Sequence, residues 1–294
     1  MIIFLTGNTG YLGSYYQKYL TQNNIKHYCL SRYITQNKNT LRNFLEIHVN
    51  SNSGPFYLIN AAGFAGKPNV DAAESQKIEC LESNVILPTL ISEVCQELNI
   101  ILVHVSSGCI YNGYEKIWTE NDIPNFSFRT NNCSWYSGTK AMAEELLDNN
   151  KKSYILRLRF PFDSNLDSPR NYLRKLINYP KIVDGLNSIT NIQDFTNKTF
   201  DIINNSLPYG KYNVFNEEPV QTKEVINILT KHLNLAEKDW FENIEEFQKT
   251  VKAPRTNCVL STEKLKSFGI MLDNAYDSIK RCVIEWKNKQ KREF

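Results

Sequence analysis

The sequence has no long apolar run. Nothing in its 294 residues approaches the roughly 18 consecutive apolar positions that a membrane-spanning helix needs, which excludes a span of that kind. It also lacks any Cys-x-x-Cys pair. Its seven cysteines (29, 80, 95, 109, 133, 258 and 282) are odd in number and scattered, which argues against a disulfide frame and for reduced thiols in a cytoplasmic protein. No metal site is expected. There is no concentrated basic face either. Lys and Arg are spread out for a net charge of +3, apart from the tail "KNKQKREF", read as a solvated end, so nucleic acid is not an expected partner. The N-terminal "MIIFLTG" has no basic n-region, and its apolar run is too short for a signal peptide. What remains is an ordinary soluble composition, 41% hydrophobic and 22% charged, long enough to bury a full core.

Glycine is sparse, yet three of the 12 stand together at Gly7, Gly10 and Gly13, between the apolar run Ile2 to Leu5 and an amphipathic stretch. Strand, glycine turn and helix in that order predict a dinucleotide site. Gly7 permits a tight turn, Gly10 lets a diphosphate approach the main chain, and Gly13 lets the helix pack on the strand. The helix start then offers free N–H groups to the anion. The alternative is a glycine-rich turn with no ligand. The next strand, "KHYCLSR", ends in Ser31 and Arg32 rather than in the acid that would bind a ribose 2′-hydroxyl. A hydroxyl and a guanidinium suit a 2′-phosphate, so NADPH is the expected cofactor. A solvated surface arginine is the competing reading.

Further strand signals follow at "FYLINAAG", "IILVHVSS" and "SYILRLRF", with long helical patterns at Glu82 to Leu98 and Ser134 to Leu147 between them. Alternation of this kind predicts an α/β fold, a doubly wound parallel sheet with helices on both faces. Its ligands sit beyond the strand C-termini. The expected division is a Rossmann domain at 1–160 with a returning segment at about 186–215. A smaller substrate lobe is then formed by 161–185 and 216–294. The cofactor set would be Gly7, Thr9, Gly10, Tyr11, Leu12, Gly13, Ser31, Arg32, Asn60, Ala61, Ala62, Gly63 and Asn84, with Tyr136 and Lys140.

Tyr136 and Lys140 stand four apart on one helical face, and a lysine beside a phenol favours the phenolate. The same spacing recurs at Tyr276 and Lys280, read as a pair on a C-terminal surface helix without catalytic context. These residues, the glycine turn and the Ser107 strand end resemble an extended short-chain dehydrogenase/reductase. Within that superfamily, "NAAGFAGKPNVDAAES", "SSGCIY", "YSGTKAMAEELL", "RLRFPFDSNLDSPRN" and "VKAPRTNCVLSTEKLK" are similar to the epimerase/reductase that completes UDP-L-rhamnose synthesis. The C-terminal part of the plant rhamnose synthases belongs to that group. The dTDP-rhamnose reductases and GDP-fucose synthase are more distant likenesses.

The resemblance implies a UDP- or dTDP-linked 4-keto-6-deoxyhexose as substrate, a homodimer, and an oxidoreductase that is also an isomerase. Ser107 and Tyr136 would bind the C4 oxygen, Tyr136 would supply the proton, and Lys140 would hold the tyrosine and the nicotinamide ribose. The C4 ketone acidifies the C3 and C5 protons. None of the four histidines (27, 48, 104, 232) stands near the motifs in a way that serves, and His104 is expected inside the sheet. Cys109, two residues past Ser107, would move these protons, as the cysteine of GDP-fucose synthase-like enzymes does. By likeness to the rhamnose enzymes, Lys175 would be its partner acid. Cys109 as a small buried hydrophobe and Lys175 as a solvated helix lysine stay open. Gly108, Arg170, Asn171 and Arg255 complete the expected substrate set, with surface ion pairs as the alternative for the arginines. A 4,6-dehydratase would need acids where Gly108 and Cys109 stand, so dehydration is not expected. A reductase without epimerase activity and a non-catalytic NADP-binding subunit remain the two alternatives.

Overall fold

The computed structural model describes residues 1–292. Of the tail read as solvated, Glu293 and Phe294 lie outside the described residues. The first β-α-β unit runs through β1 (Ile2–Thr6), α1 (Gly13–Gln22) and β2 (His27–Leu30), followed by α2 (Lys38–Asn50) and β3 (Phe56–Asn60). The chain continues through α3 (Leu87–Glu97), β4 (Ile101–Ser107), α4 (Trp135–Leu147) and β5 (Ser153–Leu158). Then come α5 (Tyr172–Asn178), α6 (Ile192–Asn204), β6 (Gly210–Asn213), α7 (Thr222–Leu233) and α8 (Ala275–Gln290).

The six strands form one sheet in the order β6-β5-β4-β3-β1-β2, every pairing parallel. The period of two in the strands feeds two cores. Ile3, Leu5, Tyr57, Ile59, Val103, Val105, Tyr154 and Leu156 pack on one face with Tyr16 and Leu20 of α1 and Phe195 and Phe200 of α6. Ile2, Phe4, Leu58, Leu102 and Ile155 face the other way, onto Leu41, Leu45, Ile91 and Val94. Burial on both faces explains why the strands read as unbroken apolar runs. The order reverses between β1 and β3, and a crevice opens there beyond their C-terminal ends.

A third core lies over that edge, with Phe162, Leu166, Leu173, Ile182, Val225, Ile279 and Val283 at its centre. Residues 265–272 do not keep to this lobe as expected. Leu265, Ile270 and Leu272 pack into the sheet's α1/α6 core. The helix expected from Glu82 to Leu98 also differs. It opens with a π turn at Glu82–Ile86 before α3. Pro88 has no N–H for the carbonyl of residue 84, and the widened turn accommodates that loss. No described helix is long and apolar enough to cross a membrane.

Candidate active site

The glycine turn leaves β1 at the crevice. Gly7 has φ +72°, and a Cβ there would come within 2.6 Å of the Ala62 amide nitrogen. A Cβ on Gly13 would meet the Gly7 carbonyl oxygen at 1.9 Å, so the helix start packs directly on the turn. Gly10 meets only that same carbonyl, at 3.1 Å, and it is exposed together with Thr9. Leu12 caps α1 without a side-chain hydrogen bond. The amides of Tyr11 and Leu12 find no backbone acceptor among the described residues. These are the features of an anion cradle, and they fit the diphosphate of a dinucleotide. Ser31 and Arg32 follow β2 at the same edge, both exposed, and Arg32 has no carboxylate partner among the described residues. Ala61, Ala62 and Gly63 leave an uncrowded wall beside the turn.

Three asparagines and one glycine expected to touch ligands do other work. Asn60 is fully buried, accepting from Thr6 Oγ1 at 2.8 Å and lying 3.2 Å from His104 Nδ1. Asn84 brackets Phe64, accepting from its amide and donating to its carbonyl, both at 2.8 Å, and it donates to Thr139 Oγ1. Asn171 caps α5 and donates to Asp163 and to the Asn165 carbonyl, with nothing left for a sugar. Gly108 is enclosed by Phe215 and Leu260, and its amide goes to the Leu158 carbonyl. The polar groups of all four are engaged within the protein. His104 is buried inside the sheet, and burial together with nearby Lys140 holds its imidazole well below its ordinary range.

β4 delivers Ser107 to the crevice, and Ser107 Oγ accepts from the Cys109 amide at 3.1 Å. Helix α4 begins at its Ser134 cap and presents Tyr136 and Lys140 on one face. The lysine does not draw the phenol toward phenolate as expected. Burial holds the Tyr136 phenol above its usual range, Cys109 adds to this, and the Ser107 side chain opposes it. Lys140 Nζ donates instead to the Val105 carbonyl at 2.8 Å, and burial pulls its ammonium down to about 8.

Cys109 is half-buried at the strand exit and belongs to none of the apolar cores. Lys175 comes from α5 to within electrostatic reach of it, beside Arg170 and Arg255. Burial, then Arg170, pushes the Lys175 ammonium below its ordinary value, and Cys109 opposes the shift. Arg170 donates to the Gly66 carbonyl at 3.1 Å. Arg255 pairs with Asp71 Oδ1 at 3.0 Å, the ion-pair alternative for this residue. The Tyr276/Lys280 pair lies elsewhere, on α8. Tyr276 bonds Glu224, and Lys280 pairs with Asp277.

Two features escaped the sequence reading. Arg157 and Glu144 form a buried ion pair at 2.6 Å, one turn from Lys140. Arg159, fully buried, places Nη1 3.4 Å from Cys109 Sγ. The alternation of arginines in "RLRF" put both on one side of the strand, and that was the available signal.

The site can be compared with known proteins. Residues 1–287 match the family described as the RmlD substrate binding domain. The chain is 33% identical over 242 residues to an Arabidopsis thaliana protein named bifunctional dTDP-4-dehydrorhamnose 3,5-epimerase/dTDP-4-dehydrorhamnose reductase, covering 80% of this chain and 78% of that one. A trifunctional UDP-glucose 4,6-dehydratase/UDP-4-keto-6-deoxy-D-glucose 3,5-epimerase/UDP-4-keto-L-rhamnose-reductase from the same plant is 33% identical over 241 residues. This chain spans 34% of its length. Among solved structures, the L780 UDP-rhamnose synthase from Acanthamoeba polyphaga mimivirus superposes with a TM-score of 0.86 at 25% identity, covering 96% of this chain and 98% of that one. A match over nearly the whole length, together with the glycine cradle and the Ser107/Tyr136/Lys140 edge, makes the chain a member of the RmlD substrate-binding domain family.

Proposed function

We propose that the protein is an NADPH-dependent nucleotide-sugar oxidoreductase. It would epimerise C3 and C5 of a UDP- or dTDP-linked 4-keto-6-deoxyglucose and reduce C4, giving the nucleotide-linked L-rhamnose. The observation that carries this reading is the strand exit, where the Ser107 hydroxyl and the Tyr136 phenol adjoin the Cys109 thiol and the Lys175 ammonium lies within electrostatic reach of that thiol.

NADPH, when bound, supplies hydride to C4. The residues Thr9 to Gly13 would hold its diphosphate, and Ser31 and Arg32 its 2′-phosphate. The Ser107 hydroxyl, which accepts from the Cys109 amide and bonds the Tyr136 phenol, would turn its donor to the C4 oxygen. Tyr136 then donates a proton to the developing alkoxide. In the epimerising half, Cys109 and Lys175 would exchange protons with C3 and C5 while Ser107 and Tyr136 hold the enolate oxygen. Arg170 and Arg255 would face the nucleotide diphosphate, with Arg255 leaving Asp71 to do so.

A reductase without epimerase activity is the second reading. It is favoured by the trio Arg170, Lys175 and Arg255, which also suits simple diphosphate binding. Incubation of the enzyme with UDP- or dTDP-4-keto-6-deoxyglucose in D2O separates the two. Deuterium at C3 and C5, lost in Cys109→Ser, and an L-rhamnose product by NMR once NADPH is added are the expected results. A 4-reduced sugar of unchanged C3 and C5 configuration, free of deuterium, would overturn the epimerase half. No keto-sugar-dependent NADPH oxidation at all would overturn the whole reading in favour of a non-catalytic subunit.

The reading extends to a homodimer. Ile86, Met142 and Leu146 are exposed apolar residues near or on α3 and α4, two helices that pack on each other. Light scattering of the purified protein tests this. All seven cysteines are free, which fits a reducing cytoplasm.

A further inference from the structure

The first turn of α4 is held from outside the helix. Trp135 is the first helical residue, where an amide has no intrahelical acceptor. The Ser134 side chain accepts from the Ser137 amide at 3.1 Å and so leaves the Trp135 amide unserved. Glu74 Oε1 accepts from it at 2.8 Å, across 61 residues of chain. The Trp135 indole is fixed as well. Its Nε1 donates to the Lys77 carbonyl at 3.0 Å, and Lys77 Nζ lies 4.7 Å from the ring centroid. Tyr136 is the next residue, so any shift of the Trp135 backbone carries the phenol with it.

Glu74 ends a 3-10 turn at Val70–Glu74. The other carboxylate of that turn also reaches across the fold. Asp71 Oδ1 accepts from the amides of Lys252 and Ala253 at 3.1 and 2.9 Å and pairs with Arg255 at 3.0 Å. Just before the turn, the Gly66 carbonyl accepts from Arg170 at 3.1 Å. Gln76 braces the segment, accepting from the Lys67 amide at 3.0 Å and donating to its carbonyl at 3.2 Å. Residues 66–77 therefore meet both arginines proposed for the substrate diphosphate and also the entry to the helix that bears Tyr136.

We propose that Glu74 is a positioning residue for Tyr136: its carboxylate fixes the Trp135 amide and thereby sets where the phenol stands relative to Ser107. This role deepens the reductase half of the reading above and rests on it. Ser134 caps α4 locally and orders its backbone, but it does not locate the helix against the rest of the crevice. An acceptor carried by the segment that meets Arg170 and Arg255 does so. It sets the phenol in one frame with the groups that would hold the sugar nucleotide. Misplacing a reacting group by about 1 Å costs on the order of 10²-fold in rate.

Glu74→Ala removes the acceptor. Its kcat for keto-sugar-dependent NADPH oxidation is expected to fall about 10–100-fold, with KM for the sugar held to within about twofold. Glu74→Gln keeps an oxygen at the same reach and is expected to bring kcat back to within about threefold of wild type. Glu74→Asp keeps the charge but stops short of the amide, so it should lose kcat as the alanine variant does, and it serves in its place if that variant does not fold. A second readout needs no substrate. In protein labelled with fluorotyrosine, the Tyr136 signal in the fluorine NMR spectrum is identified by its loss in Tyr136→Phe. That signal is expected to move in Glu74→Ala and Glu74→Asp and to stay in Glu74→Gln. An unmoved signal in the folded alanine or aspartate variant overturns the proposal. So does a loss of stability with kcat unchanged, or a kcat loss that glutamine does not restore. A wild-type protein that oxidises no NADPH with keto sugar would overturn the reading above instead, and the fluorine signal would then decide the placement of Tyr136 by itself.

Discussion

The Cys109 amide donates to Ser107 Oγ at 3.1 Å, so one turn of chain fixes both the hydroxyl and the thiol. One lone pair of the serine oxygen is taken, and its hydroxyl also bonds the Tyr136 phenol at the crevice. Ser107→Ala removes that donor and loosens the turn beneath Cys109. Turnover of keto sugar with NADPH is expected to fall by about 10²–10³, with NADPH affinity unchanged, as stopped-flow and fluorescence titration would show. Loss of NADPH affinity in equal measure would place Ser107 outside the site proposed for it.

Lys140 gives a prediction of opposite signs. Its ammonium is buried and pulled from 10.5 to about 8, so the unfolded chain holds that proton more tightly than the folded one. Stability of the wild-type protein therefore rises as pH climbs from about 8 to 10.5, and the charged lysine is a burden below that window. Lys140→Met should abolish NADPH oxidation yet stabilise the free protein at pH 7 by about 2 kcal/mol. That figure is the desolvation relieved less one lost hydrogen bond. The gain should vanish near pH 10.5. Urea unfolding at the two pH values measures it.

This prediction marks where the sequence stopped being readable. The spacing of Tyr136 and Lys140 was legible because a helix repeats every 3.6 residues, and the Ser107 edge was legible because the strand had nowhere else to end. The parallel sheet followed from the alternation of apolar runs with helical patterns. Which atom each polar group bonds was not legible. Asn60, Asn84 and Asn171 stand inside motifs, yet each is engaged by backbone or side chain from 2 to 55 positions away. Arg159 meets Cys109 across 50 residues and Thr256 across 97, contacts that no local pattern encodes. The same holds for Arg255, whose partner Asp71 is 184 residues distant.

The Arg157–Glu144 pair is 0% and 1% exposed, with Ser106 also donating to the carboxylate. Burial works against charge on Glu144, but the guanidinium and its hydrogen bonds outweigh that and keep the carboxyl below its ordinary value. Glu144→Gln leaves a buried cation without its counter-ion. It should destabilise the fold by about 3–5 kcal/mol in urea unfolding. The double change Glu144→Met with Arg157→Met should cost much less than the sum of the single changes, because neither charge is then stranded.

Gly10 and Gly13 separate by what a methyl group would strike. On Gly13 it would lie 1.9 Å from the Gly7 carbonyl oxygen, a backbone collision that displaces the helix start. Gly13→Ala should therefore lower the melting temperature as well as NADPH binding. On Gly10 the same methyl meets only that oxygen, at 3.1 Å, and otherwise projects into open space. Gly10→Ala should fold nearly as well as the wild-type protein and lose dinucleotide affinity, since the occupied space is where a diphosphate would approach.

Cofactor preference turns on Arg32. β2 pairs in register with β1 through Thr6 and Leu30, which sets Ser31 and Arg32 beside the glycine turn at the sheet's C-terminal edge. No carboxylate follows β2 at the place where one would bind a ribose 2′-hydroxyl and repel a 2′-phosphate. Arg32 is exposed and without a carboxylate partner among the described residues, so a phosphate would not have to compete for it. Arg32→Ala should weaken NADPH by about 1–2 kcal/mol, roughly five- to thirtyfold, through loss of a charge-assisted hydrogen bond. NADH carries only a neutral hydroxyl at that position, so its affinity should hardly change, and the preference between the two dinucleotides should narrow by the same factor. Isothermal titration of both cofactors against the wild-type and variant proteins reads the ratio directly. An equal loss for both would mean that Arg32 touches something the two share.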